Sequence, residues 1–342
     1  MQSHEAIFRP SMNPNRKPLH TLLPLKTPIA LQIDPSDVCN FRCKFCFQSH
    51  SNLKHKLLTP ELFQKIVNDM KEFPEPFNTV YLHRIGEPLL NKNFPEFVRI
   101  LKNTSLTRGG GQPIAGRVCT ITNASLLNPK LIRDIVDAGL DKIQISIYGL
   151  SDEDYKKFCG ANVSFERIKE NIALLYQVGH SNGKHVDMYI KIAAEYFSEE
   201  EQQSFIEQFS PITDSIFIEH VTNIWPGLKI DGVSDNGQYD LGVHDYICPT
   251  PFYMLNIHSD GVVSPCCVEW QKKLVLGDVK TQSLLDIWNG DELYNLRIAT
   301  LKRELDSYSM CKHCEFPSAS LSINLTDHIS KLLNIYERKS AD

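Results

Sequence analysis

An alternation limits the fold of this chain more than any other feature. Six short runs rich in Val, Ile, Tyr and Thr lie at 29–34, 79–84, 117–122, 142–148, 186–193 and 214–220. Between and after them, 59–73, 93–102, 128–138, 164–178 and 198–209 place apolar residues at helical spacing. Thr59 before Pro60 is a cap followed by a first-turn proline. Ser198-x-x-Glu201 has the capping-box acid that Ser164-x-x-Arg167 lacks. Strand-then-helix repeats predict an α/β fold with a parallel sheet and right-handed crossovers. Curled into a partial (β/α)6 barrel resembling a TIM barrel, such a sheet presents its site at the C-terminal strand ends.

The alternation stops near residue 222 of 342, which leaves room for a second, smaller unit. The expected organisation is an irregular, proline-rich lead-in at 1–28, a core barrel at 29–222 and a Gly/Asp/Asn-rich linker at 223–247. A small Cys-rich module at 248–317 and a C-terminal helical segment at 318–342 follow. Asp260-Gly261 reads as a hairpin turn within the module. Gly109-Gly110-Gly111 matches no phosphate-binding glycine pattern and reads as a flexible connection.

Basic side chains number 36 and acidic ones 41, a net charge of −5 that argues against nucleic acid or an anionic membrane as partner. No apolar run approaches about 18 residues, and residues 1–15 lack an apolar signal core, so a cytoplasmic protein is expected. Ten cysteines are many for such a chain. A reducing compartment makes disulfides a poor explanation and metal or redox chemistry a better one. Three cysteines lie between 39 and 46 and five between 248 and 314; Cys119 and Cys159 stand apart and read as small packed residues.

Cys39, Cys43 and Cys46 form a C-x3-C-x2-C loop directly after the first strand, with Phe45 before the last cysteine. Four thiolates saturate a [4Fe–4S] cluster, whereas three leave one iron open. A zinc site and simple buried thiols are the alternatives. This loop resembles the signature of the radical S-adenosylmethionine (radical SAM) enzymes. The resemblance implies that the open iron binds the amino and carboxylate groups of S-adenosylmethionine (SAM), and that reduction yields a 5′-deoxyadenosyl radical. Gly86-Glu87-Pro88 at the end of the second strand resembles the family's GGEP element, with Ile85 in place of the first glycine. The family pattern implies SAM contacts for Gly86, whose lack of a side chain lets the ligand approach the backbone, and for Glu87, Pro88, Ser146, Lys191, Asn123 and Phe45. Thr122 and Phe47 are further neighbours of the pocket by the same pattern.

The second set, Cys248-x12-Gly261-x4-Cys266 and then Cys311-x2-Cys314, resembles the auxiliary-cluster module of SPASM and twitch domains, a β-hairpin plus helix. Gly277-Asp278 and the run from Leu285 to Asn289 match the stretch between hairpin and final cysteines. No cysteine follows Cys314, which implies a twitch-like module with one auxiliary [4Fe–4S] cluster held by four thiolates. Spacing favours Cys266 over its neighbour Cys267, and His313 reads as a turn residue. A zinc knuckle and a redox dithiol remain alternatives.

An acceptor cluster beside a substrate radical implies net oxidation, as in the twitch-type dehydrogenases that oxidise an aminocyclitol alcohol. The expected activity is that of a radical SAM oxidoreductase acting on a small polar, sugar- or cyclitol-like molecule, reduced by a donor such as flavodoxin or ferredoxin. The alternatives are a peptide- or protein-modifying radical SAM maturase, disfavoured because 1–28 is too short for a peptide-recognition domain, and a non-catalytic iron–sulfur or zinc scaffold. His83, Arg84, Tyr148, Glu195, Glu219 and His220 are candidate substrate contacts at strand ends. Arg84 suits an anionic group, and His220 suits proton acceptance from an alcohol.

Overall fold

The structure is a computed structural model that describes residues 6–9, 17–50, 56–108, 110–221, 225–226, 228, 247–312, 314 and 325–338. Most of 223–247, with Gly109 and His313, lies outside the described residues.

The strands are β1 (Ile7–Phe8), β2 (Ala30–Ile33), β3 (Phe77–Leu82), β4 (Ala115–Thr122), β5 (Lys142–Ile147), β6 (Asp187–Ala193), β7 (Ser215–Glu219), β8 (Met254–Ile257), β9 (Val262–Ser264) and β10 (Gly277–Asp278). The helices are α1 (Pro60–Met70), α2 (Phe94–Asn103), α3 (Pro129–Ala138), α4 (Asp152–Cys159), α5 (Phe165–Gly179), α6 (Glu199–Phe209), α7 (Thr250–Tyr253), α8 (Leu284–Asn289), α9 (Asp291–Lys302), α10 (Ser309–Lys312) and α11 (Ile329–Arg338).

All six expected strands form, as do the five helices expected among them. Their starts follow the sequence chemistry. Thr59 accepts from the Leu62 amide ahead of Pro60, and Ser198 with Glu201 makes the reciprocal capping box. Ser164 caps α5 through the Arg167 amide despite the missing acid. Helix α4 was not anticipated. It begins at the Ser151 cap, carries three acids in its first turn and ends at Gly160 with φ 59.

The sheet has ten strands in the order β1-β7-β6-β5-β4-β3-β2-β8-β9-β10. Pairing is parallel from β1 through β8 and antiparallel in β8-β9-β10. Four strands, β1 and β8 to β10, extend it beyond the six, and at each edge one of them pairs with an expected strand. Ile7–Phe8, in the segment read as irregular, pairs with β7, and β8 of the Cys-rich region pairs with β2 from Ala30↔Met254 to Ile33↔Ile257. The barrel sheet and the hairpin are therefore one hydrogen-bonded surface. The hairpin turns at Gly261, whose φ of 93 suits glycine.

Side chains alternate along each strand. Leu31, Ile33, Val80, Leu82, Ile143, Ile145, Met188, Ile190, Leu255 and Ile257 enter the core shared with the helices. Their alternates include Gln32, Gln144, Ser146, Tyr189 and Asn256, all buried although polar or amphipathic. A sheet buried on the face that lacks helices has curled around a lumen, which is the partial barrel. A smaller core clusters Leu19, Leu23, Phe252, Leu301, Leu332 and Tyr336, and so ties the lead-in to α7, α9 and α11.

Candidate functional site

Strand β2 runs directly into the Cys39–Cys46 loop, and three pieces of backbone hold that loop. Gln48 Nε2 donates to the carbonyls of Asp37 and Ile85, each at 2.9 Å. The Glu87 amide donates to the Val38 carbonyl at 2.8 Å. The amides of Arg42 and Lys44 donate to the Cys159 and Phe158 carbonyls at 2.8 and 2.9 Å, so the unanticipated α4 is the loop's floor. A Cβ at Gly86 would stand 2.3 Å from the carbonyl oxygens of both Ser36 and Val38. Glycine is thus required there for the chain's own cysteine loop to approach.

Burial pushes the thiols of Cys39 and Cys46 up to about 12. Cys43 is also raised, first by its hydrogen bond to Cys159 and then by burial. Cys159 and Cys119 are buried, as expected of packed residues. The negative charges of Cys43 and Cys46 raise Cys39 further, which places the three thiols within electrostatic reach. Three mutually interacting thiols on one loop fit the donor set of a [4Fe–4S] cluster with one iron left open.

Glu87 lies beside this loop and is 3% exposed. It accepts from the Leu89 amide at 3.1 Å, the Thr122 hydroxyl at 2.7 Å and the Asn123 amide at 2.8 Å. Burial nevertheless pushes its carboxyl up to about 7. A carboxylate offers about four acceptor positions, so room remains for one further donor. Pro88 opens the buried turn Pro88–Leu90 behind Glu87. Asn123 Nδ2 donates to Asn40 Oδ1 at 3.0 Å and so links the end of β4 to the cysteine loop. Phe45 and Tyr148 pack with ring centroids 5.5 Å apart, and Phe45 also meets Tyr196 at 5.2 Å. Tyr148 hydrogen-bonds Ser146, and its hydroxyl is raised first by burial and then by Cys43. Glu87, Pro88, Asn123, Phe45, Tyr148 and Ser146 therefore gather at this loop. Phe47 points elsewhere, onto Trp225 and Trp270.

Other candidates have protein partners. Lys191, register partner of Ser146, is ion-paired with Glu219. His220 Nδ1 lies 2.9 Å from Glu195 Oε1, at an exposed position on the rim. Arg84 is not free for an anionic substrate. Its guanidinium contacts His258 Nδ1 at 2.9 Å, the Cys266 carbonyl at 3.4 Å and the Glu269 carbonyl. It ties the end of β3 to the hairpin and the second cysteine set. Asp34 and Glu269 draw on its charge as well.

In that second set, Cys248 precedes α7, Cys266 and Cys267 follow β9, and Cys311 lies in α10, whose end leads through a turn to Cys314. Burial pushes Cys248 and Cys311 up to about 12, and the charge of Cys266 raises both. A hydrogen bond between Cys266 and Cys267, ahead of burial, raises the first, and the same bond lowers the second against the effect of burial. The charge of Cys266 reaches both Cys248 and Cys311, and that of Cys248 reaches Cys267.

Sequence reasoning named one lumen group, His83, and missed two amides. Gln32 and Asn256 are register partners on β2 and β8. Gln32 Oε1, both amide atoms of Asn256 and His83 Nδ1 are buried without a hydrogen-bond partner. His83 meets Tyr81 edge-on at 5.4 Å, and burial, aided by Lys191, lowers it to about 3. The alternation of Gln32 with Leu31 and Ile33 was a usable signal. Asn256 alternates in the same way with Leu255 and Ile257, but its pairing beside Gln32 had no local signal, because β2 is more than 200 residues away in sequence.

The family model described as "Radical SAM superfamily" matches residues 33–200, and the one described as "Iron-sulfur cluster-binding domain" (SPASM) matches 248–315. A curated relative from Pyrococcus furiosus, the "Tungsten-containing aldehyde ferredoxin oxidoreductase cofactor-modifying protein", is 23% identical over 87% of this chain and 90% of its own length. A "Probable GTP 3',8-cyclase" of Methanococcus maripaludis is 31% identical, but the match covers 44% of this chain and 45% of that protein. Among solved structures, BtrN in complex with AdoMet and 2-DOIA has a TM-score of 0.53 at 18% identity, covering 84% of this chain and 93% of that one. SuiB of Streptococcus suis bound to SAM has a TM-score of 0.58 at 16% identity, covering 82% and 70%. Native anSMEcpe with bound AdoMet has a TM-score of 0.56 at 14% identity, covering 91% and 97%. The first matched domain implies SAM and a [4Fe–4S] cluster, and the second implies auxiliary iron–sulfur chemistry. With three thiols after β2, Glu87 beside them and a second buried cysteine set on the adjoining hairpin, the chain belongs to the radical SAM superfamily and carries a C-terminal SPASM domain.

Proposed function

We propose that this protein is a radical SAM oxidoreductase that removes two electrons from a small, hydroxyl-bearing polar substrate held in the barrel lumen. One observation carries the reading. The first cysteine set follows β2, Cys248 and Cys266 of the second flank the β8–β9 hairpin that pairs with β2, and the lumen face of β2 and β8 offers uncharged amide atoms that lack partners, on Gln32 and Asn256. Such amides pair with hydroxyls, and leaving them unpaired carries a desolvation cost that a polar ligand removes. The bound cofactors supply the radical that takes a hydrogen atom and an acceptor for the remaining electron.

The chain's own residues then have separable tasks. Cys39, Cys43 and Cys46 hold the first cluster, and Cys248, Cys266, Cys311 and Cys314 the second. Glu87 accepts from the SAM ammonium with its remaining lone pair. Tyr148, Phe45 and Ser146 wall the SAM side of the lumen. His83 is kept neutral with a free ring nitrogen, follows β3, the neighbour of β2, and suits a hydrogen bond to the substrate hydroxyl. Burial makes it too weak a base for the alcohol proton, which is assigned to His220, hydrogen-bonded to Glu195. A ferredoxin or flavodoxin is the expected donor, and the cytoplasm the expected compartment. Among the described residues no helix is long and apolar enough to cross a membrane. The name of the Pyrococcus relative, a cofactor-modifying protein, suits a small-molecule substrate.

The second reading is a peptide-modifying maturase. It is favoured by the fold likeness to SuiB, which was also solved bound to its precursor peptide SuiA, and to anSMEcpe, also solved with a Cp18Cys peptide. Anaerobically reconstituted protein, given SAM, dithionite and either deuterated cyclitols and sugars or short peptides, separates the two. Deuterium in 5′-deoxyadenosine together with a ketone product from a polyol supports the oxidoreductase. Label transfer from peptides alone supports the maturase. An absence of SAM cleavage leaves a scaffold.

A further inference from the structure

The N-terminal ends of the parallel strands carry a second constellation, at the opposite mouth of the barrel from the cysteine loop. His180 follows α5, His185 lies in the connection to β6, and Asp214 immediately precedes β7. One ligand atom from each lies within 4.8 Å of the other two. The rings of His180 and His185 meet edge-on at 4.7 Å.

The hydrogen bonding of His180 is the informative detail. Nδ1 lies 2.9 Å from the Tyr176 carbonyl, and Nε2 lies 3.0 Å from Asp214 Oδ1. Both partners are acceptors, and a neutral imidazole has only one N–H to give. In the neutral ring with Nδ1–H donating to the carbonyl, the Nε2 lone pair faces a carboxylate oxygen, and a cation shared by the two relieves that contact where an imidazolium proton otherwise would. A ligating histidine that donates its other N–H to a backbone carbonyl is the usual support for a metal. Asp214 is braced in the same way. Its Oδ2 accepts from the Met188 amide at 2.7 Å, and Oδ1 remains directed at the histidine.

A cavity of about 460 Å³ adjoins the group and includes His185 and Asp214 in its lining. The other acids of that lining are committed elsewhere. Asp141 receives Lys102 Nζ on both oxygens at 2.8 Å, and Asp187 pairs with Arg117 at 3.1 Å and Lys142 at 3.3 Å.

We propose that His180, His185 and Asp214 bind a divalent transition ion, for which zinc is the suitable probe, with an open coordination position toward the cavity. Two imidazoles and one carboxylate are the donor set of an open three-ligand site. The ion would staple the α5–β6 connection to the start of β7, independently of the cofactor chemistry at the other mouth.

The test uses holoprotein with a full complement of iron and sulfide, so that the cysteines are already occupied. After dialysis against zinc and then zinc-free buffer, the proposal expects about one zinc per chain. X-ray absorption at the zinc edge should show only nitrogen and oxygen neighbours. His185→Ala and Asp214→Asn should lose the zinc while keeping the parent's iron content, which also controls for folding. Zinc absent from the parent, zinc retained by both variants, or sulfur in the zinc shell each overturns the proposal. The first of these would leave His180 and Asp214 as an ion pair.

Discussion

Gly86 is set by sterics rather than by ligand chemistry. The sequence suggests a glycine that lets a ligand near the backbone; the structure shows the approaching groups to be the Ser36 and Val38 carbonyls. Gly86→Ala is expected to cost about 1–3 kcal/mol by overpacking and to deplete iron at Cys39, Cys43 and Cys46, as read by denaturant unfolding and iron analysis. Glu87 sets a pH dependence. Burial raises its carboxyl from 4.5 to about 7, so the folded chain binds more protons than the unfolded chain between those values. Stability of the iron-free protein therefore falls as pH rises through this window, by about 2 kcal/mol from Glu87 between pH 5 and 7. In Glu87→Gln that slope should shrink by the same amount, although Asn123 loses an acceptor at every pH. Comparing the two unfolding curves at both pH values checks this. The motif made Glu87 legible as a site residue, but its protonation was not legible, because it depends on burial that only the assembled barrel creates.

Elements were legible where one period dominates. The six parallel strands and their amphipathic helices were read because each buries a continuous face. Helix α4 escaped because it has only eight residues and begins with three acids, although its Ser151 and Gly160 caps were in plain view. Pairing of β8 with β2 leaves no local trace, and Arg84, which fastens that junction, looked like a substrate contact for the same reason. Arg84→Met removes the donor to His258 Nδ1 and the Cys266 and Glu269 carbonyls, and leaves buried Glu269 without that cation. The expected cost is about 3 kcal/mol, with loss of auxiliary-cluster iron and retention of the first cluster. Unchanged iron at both sites would return Arg84 to the list of substrate contacts. Ser198→Ala should cost only about 1 kcal/mol through loss of its capping box.

At the scale of the molecule, one sheet joins two matched domains. Removing residues 248–342 strips β8 from β2 and exposes a parallel edge lined by Leu31 and Ile33. The truncated chain is expected to aggregate, whereas the full chain should unfold in a single transition reported alike by Trp288 in the C-terminal part and by the cysteine loop. Two separated transitions would mean that the hairpin only rests against the barrel. The same continuity underlies the central claim, that one curved sheet carries both a SAM-cleaving cluster and an electron-accepting one. The most direct measurement counts iron and sulfide in the anaerobically reconstituted parent and in a Cys39→Ala/Cys43→Ala/Cys46→Ala variant. Two cubanes predict about eight irons falling to about four. About four irons falling to none would contradict the account, because the second cysteine set would then hold no cluster and no acceptor for the substrate's electron.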